Sequence, residues 1–425
     1  MKTLDAWLDH LLELHPTQIE LGLERVGKVW HALGAPRPAP IVITVGGTNG
    51  KGSTVAFLDA ILRAAGYRVG TYTSPHVLRY NERVVIDGIA VDDMRLVAAF
   101  ERIEAARGEI SLTYFEFGTL AVFLILAEAG LEVAVLEVGM GGRLDAVNLI
   151  DADASILTTV DLDHQAFLGP DREAIGREKA PIFRSGRPAV VGELDPPQSV
   201  LEHATSIGAL LLRRGSDFDV GVSESRPAWA FIGDDGDFVE LPLPEKLAAP
   251  VQLINAATAI AALRALGDRL AVPEAALADG VRRASVPGRL QQIAAKPETI
   301  VDVGHNPQAA RTLAVWLEGQ GGHHCEAVFA ALADKDIAGI VEPLGTLVAQ
   351  WHVAGLESAG PRGQDSATTA QRIQDALPAA NIVEHRDVAS ALAAARARDD
   401  GRVVLVFGSF HTVAAALEAL GRDRD

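Results

Sequence analysis

Between residues 40 and 193 the chain returns five times to a short run rich in β-branched residues: "PIVITV" (40–45), "RVGTYT" (68–73), "LEVAVLEV" (131–138), "ASILTTV" (154–160) and "PAVVGE" (188–193). Helically spaced apolar residues fill the intervals, and that alternation admits few folds. It predicts strands buried on both faces, and so a doubly wound, mostly parallel sheet with helices on either side. The texture changes at "DFDVGVSESRPAWAFIGDDGDFVELPLP" (217–244), which alternates and turns at "GDDGD"; a hairpin or small antiparallel appendage is expected there. "VQLINAATAIAALRALG" (251–267) reads as a long helix closing the first domain.

Pro287 and Gly288 stop the helical pattern and set the expected boundary, with residues 1–288 in one domain and 289–425 in the other. The second part holds "ETIVDVG" (298–304), "CEAVFAAL" (325–332), "TLVAQWHVAG" (346–355), "NIVEH" (381–385) and "RVVLVFGS" (402–409), separated by helices. That pattern describes a Rossmann-like α/β domain. It lacks G-x-G-x-x-G and gives no support for a dinucleotide.

Composition narrows the partners. Lys+Arg 38 against Asp+Glu 56 leaves a charge of −18, which argues against a nucleic-acid backbone or an anionic membrane. The longest apolar run, "LAVFLILA" (120–127), is too short to span a bilayer. Cys325 is the single cysteine, so no intrachain disulfide forms and a reducing cytoplasm is expected. "HHC" (323–325) is read as a loop before a buried strand, since no second thiol completes a zinc site. At the N-terminus Leu4, Trp7, Leu8, Leu11 and Leu12 form the stripe of an amphipathic surface helix.

The first strand run leads into "VGGTNGKGSTVAF" (45–57), where Gly47, Gly50, Lys51, Gly52 and Ser53 nearly spell a phosphate-binding loop. A glycine stands where a hydroxyl residue normally follows the lysine. Strand, glycine loop and helix N-terminus together are what a nucleotide phosphate requires. In open α/β sheets ligands sit beyond the carboxyl ends of the strands. Ser74 after "RVGTYT", Glu137 near the end of "LEVAVLEV" and His164 after "ASILTTV" therefore share the loop's edge, able to ring one Mg²⁺ held by the nucleotide. Imidazole is an unusual Mg²⁺ ligand, which leaves His164 open between a ligand and a supporting or core histidine.

Other residues carry two readings at this stage. Lys179 in "REKAPIF" is by default a solvated surface lysine. Asn255, inside an apolar helix, makes either a buried structural hydrogen bond or a ligand contact. Arg289 is a linker charge or a phosphate clamp. "VDVGHNP" (301–307), with Asp302 and His305, has the look of a ligand loop.

Taken in order, "GTNGKGS", "SPH", "YFEFGTLA", "EVGMGGRLDA", "LDH", "REKA", "PGRLQ", "DVGHNP" and "VFGSFHTV" resemble the folylpolyglutamate synthase/dihydrofolate synthase family of the Mur-ligase superfamily over nearly the whole chain. The displaced hydroxyl is that family's own form of the loop. The resemblance implies ATP-dependent ligation of L-glutamate to dihydropteroate or tetrahydrofolate through an acyl phosphate. It implies Ser74, Glu137 and His164 as Mg²⁺ ligands, Lys51, Lys179 and His164 as catalytic residues, and Lys179 as an N6-carboxylysine helping to bind a second Mg²⁺. Thr48, Asn49, Gly50, Lys51, Gly52, Ser53, Asn255, Arg289, Asp302 and His305 are implied on ATP. Thr113, Tyr114, Phe115 and Glu116, with Leu144, Asp145 and Ala146, are implied on the pterin side. Val147 stands where the family commonly has threonine, and Gly304 where alanine is usual.

"TQIELGLERV" (17–26) resembles the segment that helps form the dihydropteroate site in bifunctional members; as a plain pattern it is an amphipathic helix tail. We expect a bifunctional, monomeric enzyme, with a monofunctional folylpolyglutamate synthase as the alternative. Another Mur-type ligase would share the chemistry but not "SPH", "YFEF" and "REKA" in this arrangement. A nucleotide switch would carry N-K-x-D, which is absent.

Overall fold

The computed structural model describes residues 2–17, 19–222, 228–246, 249–320, 325–397 and 401–422. Two compact units result, Met1–Glu245 with Gln252–Ala284, and Lys246–Val251 with Ser285–Asp425. His323 and His324 of "HHC" lie outside the described residues, while Cys325 is buried at the start of a strand.

The first unit is built on eight strands: β1 (Ile41–Gly46), β2 (Val69–Tyr72), β3 (Val84–Ile86), β4 (Ile89–Ala90), β5 (Val133–Glu137), β6 (Ala154–Leu157), β7 (Pro188–Val191) and β8 (Leu210–Arg213). Their order is β4-β3-β2-β5-β1-β6-β7-β8. All pairs from β2 to β8 are parallel, as strands buried on both faces predict. The antiparallel β3–β4 hairpin was not anticipated. It turns at Asp87-Gly88, both with positive φ (49° and 83°), the backbone that a two-residue hairpin turn needs and that Asp-Gly supplies.

Three antiparallel strands, β9 (Phe218–Val222), β10 (Ala228–Gly233) and β11 (Phe238–Pro242), form the expected appendage. The helix Val251–Ala265 follows, buried along most of its length. At the N-terminus the helix Leu4–Glu13 buries Leu4, Trp7 and Leu11. Leu12 is 58% exposed, so the stripe is narrower than its spacing suggested. Trp7 meets Phe100 and Phe117, which ties this helix to the core.

The second unit is a six-stranded sheet: β12 (Gln291–Ala295), β13 (Glu298–Asp302), β14 (Cys325–Phe329), β15 (Val348–Ala354), β16 (Ile382–His385) and β17 (Val404–Phe407). The order is β12-β13-β17-β14-β15-β16, parallel except at β12–β13. Strand β12, begun by Gln291 and Gln292, carries too little apolar pattern to announce itself and forms an edge.

Candidate active site

The phosphate-type loop leaves the central strand β1, between β5 and β6. Gly47 has φ +140°, and a Cβ there would lie 1.9 Å from Thr158 Oγ1. Gly50 has φ +88°, with Asn255 Oδ1 2.6 Å from its would-be Cβ. Only glycine satisfies either position. The loop is tied to the segment after β6. Thr48 N donates to Thr159 O (2.7 Å), Asn49 N to Thr159 Oγ1 (3.1 Å) and Thr158 Oγ1 to Asn49 O (2.6 Å). Thr48 Oγ1 accepts from Asp161 N (3.0 Å).

The next helix begins at Lys51, and its cap residue Gly50 offers no side-chain acceptor. First-turn N–H groups without a side-chain cap are a ready anion site. Ser53, displaced by one from the usual hydroxyl position, is buried in that first turn. Lys51 Nζ curls back to donate to Gly47 O (3.0 Å) and Thr48 O (3.1 Å).

Parallel register sets the acidic partner. Glu137 pairs with Val45 across β5–β1 and is buried at the strand end. Ser74 N donates to Glu137 Oε2 (3.3 Å). The same oxygen lies 3.7 Å from where Gly52 would carry a Cβ, so the inserted glycine leaves the space between loop and carboxylate free of a side chain. His164 follows β6 with φ +50°; its amide donates to Asp163 Oδ1 (2.9 Å), and its Nε2 is 4.0 Å from Asp163 Oδ2. The geometry thus groups Ser74 with Glu137 and sets His164 beside Asp163. Among the described residues no set of three His, Cys, Asp or Glu side chains forms a protein-only metal cage. A hydroxyl and a buried carboxylate beside a phosphate loop are hard oxygen donors, which suit Mg²⁺ sharing its shell with phosphate.

Lys179 departs from its default reading. It ends the helix Arg172–Lys179, whose N-cap Asp171 accepts from Ala174 N, and it is 5% exposed. Its Nζ donates to Gly47 O (3.1 Å), the carbonyl that Lys51 also uses. Burial, then the Lys51 charge, pull its pKa down to about 7, against the pull of Asp163 and Asp145. Asn255 makes a buried structural hydrogen bond, its Nδ2 donating to Gln252 Oε1 (2.9 Å), while its Oδ1 abuts Gly50 of the loop.

Among the residues expected on the pterin side, Thr113 and Glu116 form a capping box at the start of the helix Tyr114–Glu128. Glu116 also pairs with Arg25 (3.0 Å), so the N-terminal segment reaches "TYFE" through an ion pair. Phe115 stacks on Tyr72 at 6.2 Å and lies where a Cβ on Gly139 would be, 2.4 Å away. Asp145 accepts from Met140 N (2.8 Å) and Val147 N (2.9 Å), holding the glycine-rich turn; burial raises its pKa to about 6. Leu144 is half-buried and Ala146 buried beside it.

Within the second unit Asp302 ends β13 and accepts from Leu290 N (3.0 Å) and Gly304 N (2.7 Å). Arg289 NH1 is 3.8 Å from its Oδ1. Burial raises the Asp302 pKa, and Arg289 opposes that shift. His305 Nδ1 bonds Val303 O (2.9 Å), and its ring lies 6.2 Å from Phe410.

Residues 45–206 match the Mur ligase middle domain and residues 288–410 the Mur ligase glutamate ligase domain. The chain is 46% identical over 422 residues to the Escherichia coli (strain K12) dihydrofolate synthase/folylpolyglutamate synthase, covering 99% of this chain and 96% of the relative. The chain belongs to the dihydrofolate synthase/folylpolyglutamate synthase family of Mur ligases. Its fold superposes on E. coli FolC, solved in complex with DHPP and ADP, with a TM-score of 0.93 and 45% identity over 100% of this chain and 99% of that one. A bifunctional folylpolyglutamate synthase/dihydrofolate synthase solved with Mn, AMPPNP and L-glutamate gives 0.90 and 45%, over 99% and 98% of the two chains.

Sequence reasoning passed over several residues that shape the site of this Mur ligase. Thr158 and Thr159 anchor the loop, Asp163 acts on Lys179, and Tyr72 carries Phe115. Two threonines closing a strand run just before "DLDH" were a usable signal. Tyr72 carried none, because its stacking partner is 43 positions away and only the folded sheet brings the two rings together.

Proposed function

We propose that this chain is an ATP-dependent amide ligase that joins L-glutamate to dihydropteroate and to the glutamyl end of tetrahydrofolates. The observation that carries this reading is the single strand edge where Lys51, Lys179, Ser74 and Glu137 gather on the loop Gly47–Gly52.

A carboxylate is a poor acyl donor until one of its oxygens is phosphorylated. An oxygen of the substrate carboxylate attacks the γ-phosphorus of ATP; the bond to the β–γ bridging oxygen breaks and ADP leaves. The amine of L-glutamate then attacks the acyl carbon, loses a proton and expels inorganic phosphate. Phosphoryl transfer of this kind depends on positioned charge more than on an acid or base. Lys51 swings from the loop carbonyls to the transferring phosphoryl oxygens, while first-turn amides of its helix hold the other phosphates. Ser74, Glu137 and His164 would hold a divalent cation, which would supply further charge neutralisation there.

Lys179, as its carbamate, contributes a carboxylate toward a second cation. Thr48, Asn49, Gly50, Gly52, Ser53 and Asn255 bound the phosphates, and Arg289, Asp302 and His305 are the nucleotide contacts of the second unit. Phe115, on Tyr72 and Gly139, offers a flat face to the pterin, with Thr113, Tyr114, Glu116, Leu144, Asp145 and Ala146 around it. The chain works as a monomer.

The test is direct. Purified protein is given ATP, Mg²⁺ and L-glutamate with either dihydropteroate or tetrahydrofolate, and products are read by mass spectrometry. One added glutamyl residue per ADP is expected on both acceptors; ADP release without a glutamyl product on either overturns the proposal.

A further inference from the structure

Arg83 is 8% exposed, and among the described residues no carboxylate pairs with it. Its Nε donates to His76 Nδ1 at 2.9 Å, and its guanidinium carbon lies 5.0 Å from the Tyr80 ring centre and 5.6 Å from that of Tyr114. Nearby acids are committed elsewhere. Glu82 accepts from Val77, Leu78 and Arg79 amides, Asp93 holds Asn81, and Glu116 serves Thr113 and Arg25. A buried cation without an anion is costly, and aromatic faces recover only part of that cost.

The position of this charge matters as much as its isolation. His76 stands two residues beyond Ser74, and Tyr114 adjoins Phe115 in "TYFE". The guanidinium therefore links the segment after β2, on the phosphate side, to the aromatic group expected to receive the pterin. The carboxylate that is phosphorylated belongs at Lys51, and it loses its charge during the reaction. A fixed guanidinium fork suits instead a carboxylate that stays ionised throughout. A glutamylated folate has such a group, the α-carboxylate beside its reacting γ-carboxyl; dihydropteroate has only the carboxylate that reacts.

We propose that Arg83, held by His76 and stacked on Tyr80 and Tyr114, binds the α-carboxylate of the terminal glutamyl residue and is the residue that recognises glutamylated folates. This inference rests on the folate-ligase reading above. The test compares tetrahydrofolate with its α-carboxamide analogue, whose γ-carboxyl remains free, in wild type, Arg83→Met and Arg83→Lys. Loss of a charge-assisted hydrogen bond corresponds to about ten- to a hundredfold in KM. Wild type is expected to favour the α-carboxylate by that factor, mainly through KM. Arg83→Met should lose the preference, and Arg83→Lys should restore part of it. The ratio of kcat/KM on dihydropteroate to that on tetrahydrofolate should rise at least about tenfold in Arg83→Met.

Wild type that uses acid and amide equally overturns the proposal without any variant. So does an Arg83→Met enzyme that keeps the preference, or that loses both acceptors in equal proportion. If wild type glutamylates neither dihydropteroate nor tetrahydrofolate, the folate-ligase reading falls and Arg83's role falls with it; activity on both without an α-carboxylate preference rejects Arg83 alone.

Discussion

Lys179 offers the sharpest test of the site, because its chemistry depends on a charge state that burial sets. Its pKa is drawn down from 10.5 to about 7. At pH 7 an ordinary lysine is neutral in about one molecule in three thousand, whereas this one is neutral in about half, a gain on the order of a thousandfold. Only the neutral amine attacks CO₂; a nitrogen–carbon bond forms, one N–H proton passes to solvent, and a carbamate anion remains. With ¹³C-bicarbonate, wild type should show a carbamate carbon resonance that is absent in Lys179→Met and grows as pH rises from 6 to 8.

The same shift has a sign in stability. The folded pKa lies below the unfolded one, so between about pH 7 and 10.5 the unfolded chain binds the extra proton, and the contribution of this site to stability rises with pH. Below pH 7 the buried ammonium costs on the order of 5 kcal/mol. In CO₂-free buffer Lys179→Met should therefore be most stabilising near pH 6. That advantage should shrink by roughly 3 kcal/mol between pH 6 and pH 9, followed by urea unfolding. A pH-independent difference, or a carbamate signal appearing only near pH 10, refutes the reasoning.

Three further outcomes are expected. Lys51→Ala should lower kcat by about a hundred- to a thousandfold with the folded state intact, measured by ADP release; near-normal kcat contradicts the loop assignment. Gly47→Ala must place a methyl 1.9 Å from Thr158 Oγ1 at a φ of +140°, so AMPPNP binding measured calorimetrically should be lost, and unchanged affinity would show that the loop does not hold the nucleotide. In the second unit Glu326, fully buried, joins His352 (2.9 Å) and Arg402 (2.8 Å); Glu326→Leu removes both contacts and should cost about 2 kcal/mol in urea unfolding, and no loss would mean that the network is not a structural clamp.

Legibility of the site divided along a physical line. Residues beside a glycine-marked turn or at a strand end could be named from spacing, since chain connectivity alone puts Lys51 after β1 and Glu137 at the tip of β5. Lys179 could not be read this way. Its helix looks polar and ordinary, with charged neighbours Arg177 and Glu178, and its burial follows from the packing of that helix end against the loop carbonyl Gly47 O, 132 positions away. Arg83 was hidden for the same reason. It carries no motif of its own, and only the fold encloses it with Tyr80 and Tyr114. Short strands such as β4 and β12 escaped because hydrogen bonding to a neighbour, rather than apolar pattern, makes them strands.

From the order of residues alone came the two α/β sheets, the loop that must end in a helix amide cluster, and the family whose motifs punctuate it. These are local matters of backbone freedom and apolar period, which a linear string carries in full. Tertiary structure alone decided which side chains leave water. A lysine is drawn toward its neutral form, and an arginine is enclosed by aromatic rings, only when distant segments close around them, because desolvation depends on every neighbour in space and on few in sequence.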